Sequence, residues 1–133
     1  MAAMLDHISI GCRDLAASAA VYDAALAPLG LKRVLEKGVG ICYGPGPGRE
    51  GMMFWIVSVA PEAGVPLPSR GTHIAFAAAD RAAVDAFFEA AVAVGARVNG
   101  APGLRPEYSE HYYGAFVHDP DGHKIEAMCR TVE

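Results

Sequence analysis

Three residues carry the chemistry this chain offers: His7, His73 and Glu126. Each histidine stands near the start of a short apolar alternation. The two runs are Asp6-His7-Ile8-Ser9-Ile10 and Thr72-His73-Ile74-Ala75-Phe76, with their histidines 66 residues apart. Glu126 lies inside Lys124-Ile125-Glu126-Ala127-Met128-Cys129. On a strand, alternation puts Glu126 and Met128 on one face and Ile125 and Ala127 on the other. A dry, unpaired carboxylate among apolar neighbours costs on the order of several kcal/mol, so it needs a cation or water. Two neutral imidazoles and one carboxylate with open positions suit Fe(II), Mn(II), Zn(II), Ni(II) or Co(II). One strand histidine alone is more often a packed residue. Two at equivalent repeat positions, with an in-facing Glu126, favour a divalent-metal site in which Glu126 is also the catalytic candidate.

Small neighbours (Ser9, Gly11, Ala75 and Ala77) leave room beside these groups. Tyr43, Trp55, Tyr112 and Tyr113 are candidates for the wall of a substrate pocket. His111 clusters with Tyr108, Tyr112 and Tyr113, and Met128 shares the face of Glu126. Ser9 offers a hydroxyl two residues from His7. His118 ends a strand and is expected at a rim. His123, in a turn, is expected on the surface.

The positioning elements repeat. Asp14 and Asp80 each fall seven residues after a histidine, and each is a good helix N-cap,. Leu15, Ala19, Tyr22, Leu26 and Leu29 follow helical spacing up to Gly30. Val84, Phe87, Phe88, Ala91 and Val92 do so up to Gly95,. Strands are expected at 5–12, 31–36, 39–43 and 52–59, and again at 72–76, 97–99, 112–117 and 124–129. Asp119-Pro120-Asp121-Gly122 reads as the turn of the last hairpin. The glycine-rich loop 44–51 lacks a strand–turn–helix context, so a hairpin loop is a better reading than a phosphate cradle. The expected architecture is α+β: two tandem βαβββ modules, about 4–60 and 71–130, joined by a proline-rich linker 61–70 within one domain. Their curved sheet makes a cup with the helices outside.

At 133 residues and 53% hydrophobic, the chain can bury a sizeable core,. Its formal net charge is −4 and no Lys/Arg run interleaves with aromatics, which argues against nucleic acid as a partner,. Three widely spaced cysteines fit reduced thiols in a cytoplasmic protein,. No basic stretch precedes an apolar one at the N-terminus, and no apolar run reaches membrane-spanning length, so neither secretion nor membrane insertion is expected. Exposed sheet edges point to a homodimer.

The paired His-Ile-x-Ile/Phe strands, Asp14-Leu15 and Asp119-Pro-Asp-Gly-His-Lys-Ile-Glu126 resemble the vicinal oxygen chelate superfamily, from about Met4 to Arg130. That group includes glyoxalase I, extradiol dioxygenases, fosfomycin-resistance thiol transferases and bleomycin-resistance binding proteins. The resemblance implies a divalent metal on His7, His73 and Glu126. It also implies a small substrate with adjacent oxygens, held while an enediolate or similar anion is stabilised. This makes a metal-dependent lyase, isomerase or dioxygenase-like enzyme the leading expectation. The alternatives are a metal-free binder of antibiotics or other small molecules, and a fosfomycin-type thiol transferase in which Ser9 supplies a hydroxyl. Glyoxalase I carries a fourth Glu or Gln ligand on the last strand of its first module. Here that strand is Met-Met-Phe-Trp-Ile-Val-Ser-Val, with Trp55 or a neighbour in the ligand's place. The basic residue expected shortly after the first histidine is also missing from Ile8-Ser9-Ile10-Gly11. Phe116 stands where dioxygenases and thiol transferases favour Tyr. The missing ligand and the missing basic residue argue against glyoxalase I proper, and Phe116 is a departure from the dioxygenases and thiol transferases.

Overall fold

The chain folds twice through the same path. The computed structural model describes residues 2–48, 51–60, 62, 67–68 and 71–133. Its first four strands are β1 (Ile8–Cys12), β2 (Lys32–Lys37), β3 (Gly40–Gly44) and β4 (Phe54–Ser58), with helix α1 (Leu15–Leu26) after β1. The second half has β5 (His73–Ala77), α2 (Arg81–Ala93), β6 (Arg97–Leu104), β7 (Tyr113–His118) and β8 (Lys124–Cys129). Most of the stretch read as a linker, 61–70, lies outside the described residues, as do Arg49 and Glu50 of the glycine-rich loop.

The caps act as their sequence implies. Asp14 and Asp80 each accept a hydrogen bond through Oδ1, from the Ala17 and Ala83 amides respectively. Gly30 closes the first helical segment at φ +79°, a conformation only glycine adopts without strain,.

The strands form two four-stranded sheets, ordered β1-β4-β3-β2 and β5-β8-β7-β6. In each sheet the first strand pairs in parallel with the last, and the other pairings are antiparallel. This is the tandem βαβββ, α+β architecture of the glyoxalase-like fold.

One apolar core runs through both modules. It includes Tyr22, Leu26, Tyr43, Phe54 and Ile56 from the first, and Phe76, Val84, Phe87, Val117 and Ile125 from the second. Phe54 and Phe76 meet edge to face across the module boundary, 5.4 Å between centroids,. The helices pack against each other and against their own sheets. The opposite sheet faces stay open: Ser9, His73, Ala75 and Ala77 are exposed, as are the flanking Met53 and Val59.

The turn 119–122 is a clasp between the modules. Asp119 is buried and accepts from the Tyr22 hydroxyl at 2.7 Å and from the Asp121 and His123 amides at 2.9 Å each. Asp121 accepts from the Arg13 amide and guanidinium, at 3.1 and 3.2 Å. His123, expected on the surface, is only 6% exposed, and its Nε2 donates to the Gly11 carbonyl at 2.7 Å. Its partner lies 112 residues away in sequence, where no local pattern shows it.

Candidate functional site

The parallel pairing of β5 with β8 sets His73 opposite Lys124 and Ala75 opposite Glu126. All four side chains therefore share the face turned away from α2. With alanine as its neighbour, the Glu126 carboxylate reaches sideways, and His73 Nε2 lies 3.1 Å from Glu126 Oε1. The carboxyl group is buried, while the His73 side chain stays 42% accessible. The second carboxylate oxygen, Oε2, accepts a hydrogen bond from the Tyr112 hydroxyl. Burial, followed by the hydrogen bond to the Glu126 carboxylate and its charge, pushes the Tyr112 phenol up to about 12.

Phe116 faces Glu126 directly across β7–β8. It brings no hydroxyl, so the phenol in this site comes from four residues upstream. Tyr112 lies in a tight turn just before β7, tied by its amide to the Ser109 carbonyl and by its own carbonyl to the Arg105 amide. That turn folds its ring back over the sheet. A cavity of about 280 Å³ results, lined by His73, Tyr108, Tyr112, Phe116, Lys124 and Glu126. A second, of about 370 Å³, shares His73 and Lys124 and adds His118, Thr72 and Pro68. His118 thus stands beside His73, at the rim where it was expected.

The other candidates fall elsewhere. His7 sits one residue before β1, and its Nδ1 lies 2.5 Å from Asp6 Oδ1. Among the described residues no three His, Cys, Asp or Glu side chains converge as a metal-holding group, so His7 does not join His73 and Glu126 within the chain. Ser9 and Trp55 are Cα partners on the first sheet. Their pairing is the counterpart of Ala75 and Glu126, so Trp55 stands in the first module where Glu126 stands in the second. His111 is 3.8 Å from Glu110 and lines neither cavity. Met128 is buried on the Glu126 face, opposite Ala77 and Gly114.

Two pocket-wall expectations are corrected. Tyr43 is fully buried in the core, with its hydroxyl donating to Asp23 at 2.8 Å. It pairs with Phe54, whereas Trp55 pairs with the next residue back, Cys42, so Tyr43 faces the helix and Trp55 does not. Tyr113 likewise packs against the core, donates to Asp85 at 2.6 Å and lies under the Arg81 guanidinium. Lys124, Phe116 and Tyr108 are lining residues that sequence reasoning did not assign to the pocket. The signal for Lys124 and Phe116 was the parity of Glu126 itself, which they share across the sheet.

A family model described as the Glyoxalase/Bleomycin resistance protein/Dioxygenase superfamily matches residues 4–127. Among solved structures, a glyoxalase/bleomycin resistance protein from Albidiferax ferrireducens T118 is 32% identical, covering 97% of this chain and 100% of its own, with a TM-score of 0.78. A glyoxalase-related enzyme from Fulvimarina pelagi is 26% identical, with coverages of 95% and 87% and a TM-score of 0.68. The genomically encoded fosfomycin resistance protein FosX from Listeria monocytogenes is 18% identical, with coverages of 99% and 97% and a TM-score of 0.68, and shares the fold. No curated protein matches the chain.

Proposed function

The chain belongs to the Glyoxalase/Bleomycin resistance protein/Dioxygenase superfamily, and from that membership we propose that it is a metal-dependent lyase or isomerase acting on a small molecule with two adjacent oxygens. The observation that carries this reading is the 3.1 Å separation of His73 Nε2 and Glu126 Oε1 on the wall of a cavity. Two neighbouring ligands on one divalent ion, each about 2.1 Å from it, stand roughly 3 Å apart, so this pair fits such an ion. Among the described residues no third His, Cys, Asp or Glu joins the pair, and on this reading His7 of a second copy would supply the third donor. His7 bears the same relation to its module as His73 does to the other, and the open sheet faces leave room for such an exchange. A bound divalent ion polarises substrate oxygens as a Lewis acid.

The chain's own groups do the rest. Tyr112 fixes Glu126 by holding Oε2, which keeps Oε1 turned toward His73, where the ion would sit,. Tyr108, Tyr112 and Phe116 exclude water from one side of the cavity,. Glu126 is the carboxylate among the lining residues and takes the substrate proton,.

A second reading, a metal-free small-molecule binder, draws on a different observation. Both Glu126 oxygens already have protein partners, which lets this carboxylate stay buried without a cation. Metal analysis separates the two readings. The purified protein, reconstituted with Mn(II), Fe(II), Zn(II), Ni(II) or Co(II), should hold about one ion per chain, and Glu126→Gln and His73→Ala should each abolish binding. Mixing His7→Ala chains with His73→Ala chains should restore one ion per mixed dimer, because one of its two shared sites is then intact. Wild type that binds none of these ions hands the argument to the binding-protein reading.

A further inference from the structure

Three cations, Lys124, Arg105 and Arg130, gather at the cavity beside Glu126 or over its aromatic walls, and among the described residues none of them forms an ion pair with a carboxylate. Lys124 lines it, with Nζ 4.9 Å from the Phe116 ring centroid. The Arg105 guanidinium lies 5.5 Å from the same centroid, so the two cations are no more than about 10 Å apart, comparable with the screening length in ordinary buffer,. Arg130 stacks at 5.2 Å on Tyr112, another wall residue.

Among the described residues, Arg13, Arg33 and Arg81 each face a carboxylate, at 3.2, 2.6 and 3.9 Å respectively. Lys124, Arg105 and Arg130 have no such partner. Arg105 spends its donors on the carbonyls of Ala101 and Leu104, at 2.7 and 3.3 Å, which holds its guanidinium in place without neutralising it. The one carboxylate lining the cavity, Glu126, is engaged by His73 and Tyr112. Among the described residues Lys124 and Glu126 are the Lys/Arg and Asp/Glu side chains that line the cavity, and Arg105 and Arg130 stand over its Phe116 and Tyr112 walls, on a chain whose overall charge is −4. The aromatic faces hold these cations in place without neutralising them, which leaves their charge available to an anion.

We propose that this cavity takes a substrate bearing an oxyanion group, a carboxylate or a phosphate-like group. Lys124 is the specificity-determining contact, and Arg105 and Arg130 set the field around it. Lys124 lies opposite His73 on β5 and one alternation step from Glu126 on β8, so an oxyanion on its ammonium is adjacent to the reacting end of the site. It also lines the neighbouring His118 cavity, which gives a longer substrate room on the far side of the anion. This inference rests on the site reading above, and its test separates the two.

The test uses the isotope-labelled full-length chain, with amide chemical shifts followed during titration with inorganic phosphate, acetate and neutral glycerol. Phosphate or acetate should bind saturably, shifting the amides of Lys124, Tyr112 and Phe116, while glycerol should leave them unmoved. The better-bound of the two anions identifies which oxyanion the substrate carries. Lys124→Met should weaken anion binding at least tenfold, Arg130→Gln should weaken it severalfold, and Lys37→Gln on β2 should match wild type. Lys124→Met should still bind metal with wild-type stoichiometry. Anion binding that is equally strong in Lys124→Met, equally lost in Lys37→Gln, or absent from wild type overturns the proposal. Lys124-dependent anion binding by a protein that binds no metal would instead overturn the metal reading and leave the oxyanion site standing.

Discussion

Tyr22 and Asp119 offer the sharpest test of how the two modules are joined. Tyr22 is 1% exposed and Asp119 5%, so their 2.7 Å hydrogen bond is scarcely screened by solvent. Burial, followed by the charge of Asp119, holds the Tyr22 phenol well above its ordinary range, and it remains a donor at any working pH. Tyr22→Phe keeps the ring against Tyr43 and Phe54 and removes only the hydroxyl. Asp119 then retains two amide donors but loses its buried third. A hydrogen bond to a charged group contributes about 1.5–3 kcal/mol, and that is the expected loss. Asp119→Ala does more, because it orphans the Tyr22 hydroxyl and the His123 amide inside the protein and the Asp121 amide at the turn. Two buried orphans at about 1–3 kcal/mol each, with the third reaching water, give roughly 2–6 kcal/mol. The double variant has neither the lost bond nor the orphaned phenol to count, so the two losses should fall short of additivity by roughly 2.5–6 kcal/mol. Urea unfolding followed by near-ultraviolet circular dichroism measures all four corners of this cycle. A loss below about 0.5 kcal/mol for Tyr22→Phe, or strict additivity, would show that the clasp does not hold the modules together.

Alkaline titration should show two phenols ionising near pH 12, those of Tyr112 and Tyr113, and Tyr112→Phe should remove one of them. Because the Tyr112 proton is held more tightly in the folded state, its stabilising effect is complete below about pH 10 and fades as pH rises to about 12,. A Tyr112→Phe variant whose stability has the same pH dependence as wild type would contradict this. The methylglyoxal–glutathione adduct should be a poor substrate, with kcat/KM below about 10⁵ M⁻¹s⁻¹, since Trp55 stands in the fourth-ligand position; steady-state kinetics above that value refutes the reading. Sedimentation at micromolar concentration should give twice the 13.9 kDa chain mass, and a monomer would remove the second copy that the shared site needs.

What was legible in the sequence was whatever repeats locally. The helix caps, the histidine-to-aspartate spacing and the alternation around Glu126 each depend on a few neighbours, and each appears in the structure. The limits of alternation explain the errors. In β3 all five residues are buried, so no polar side marks which face meets the helix, and Tyr43 was assigned outward. At β7 the strand begins at Tyr113, one residue later than its pattern suggested. Tyr113 then falls on the core face, while Tyr112 turns back from the loop. β6 runs to Leu104 through Gly-Ala-Pro-Gly, residues that disfavour strands, because register shifts on either side of Gly100 absorb them,. His123 was misjudged because its partner belongs to the other module.

The same clasp bears on where a third donor to the proposed metal site would come from. His123 binds the Gly11 carbonyl, and Asp121 binds the Arg13 amide just beyond β1. The end of β1 tied to the turn before Glu126 is therefore its C-terminal end. His7 lies four residues before Gly11, about 13 Å along an extended strand at roughly 3.3 Å per residue. Moving it to Glu126 within one chain would require breaking buried bonds from Asp119 and His123. Those contacts also hold the turn from which β8 emerges, so they position Glu126 and displace the chain's own His7 together. A second copy meets no such constraint, because its β1 could approach the exposed face of β5 with His7 leading. A Tyr22→Phe/His123→Ala variant tests this argument. If the clasp is what keeps His7 away, loosening it should lower stability and let ions be held within single chains. Mixed-dimer metal stoichiometry that still showed only shared sites would mean that something other than the clasp separates His7 from Glu126. Loss of metal at full folding would mean that the turn, and not the second copy, completes the site.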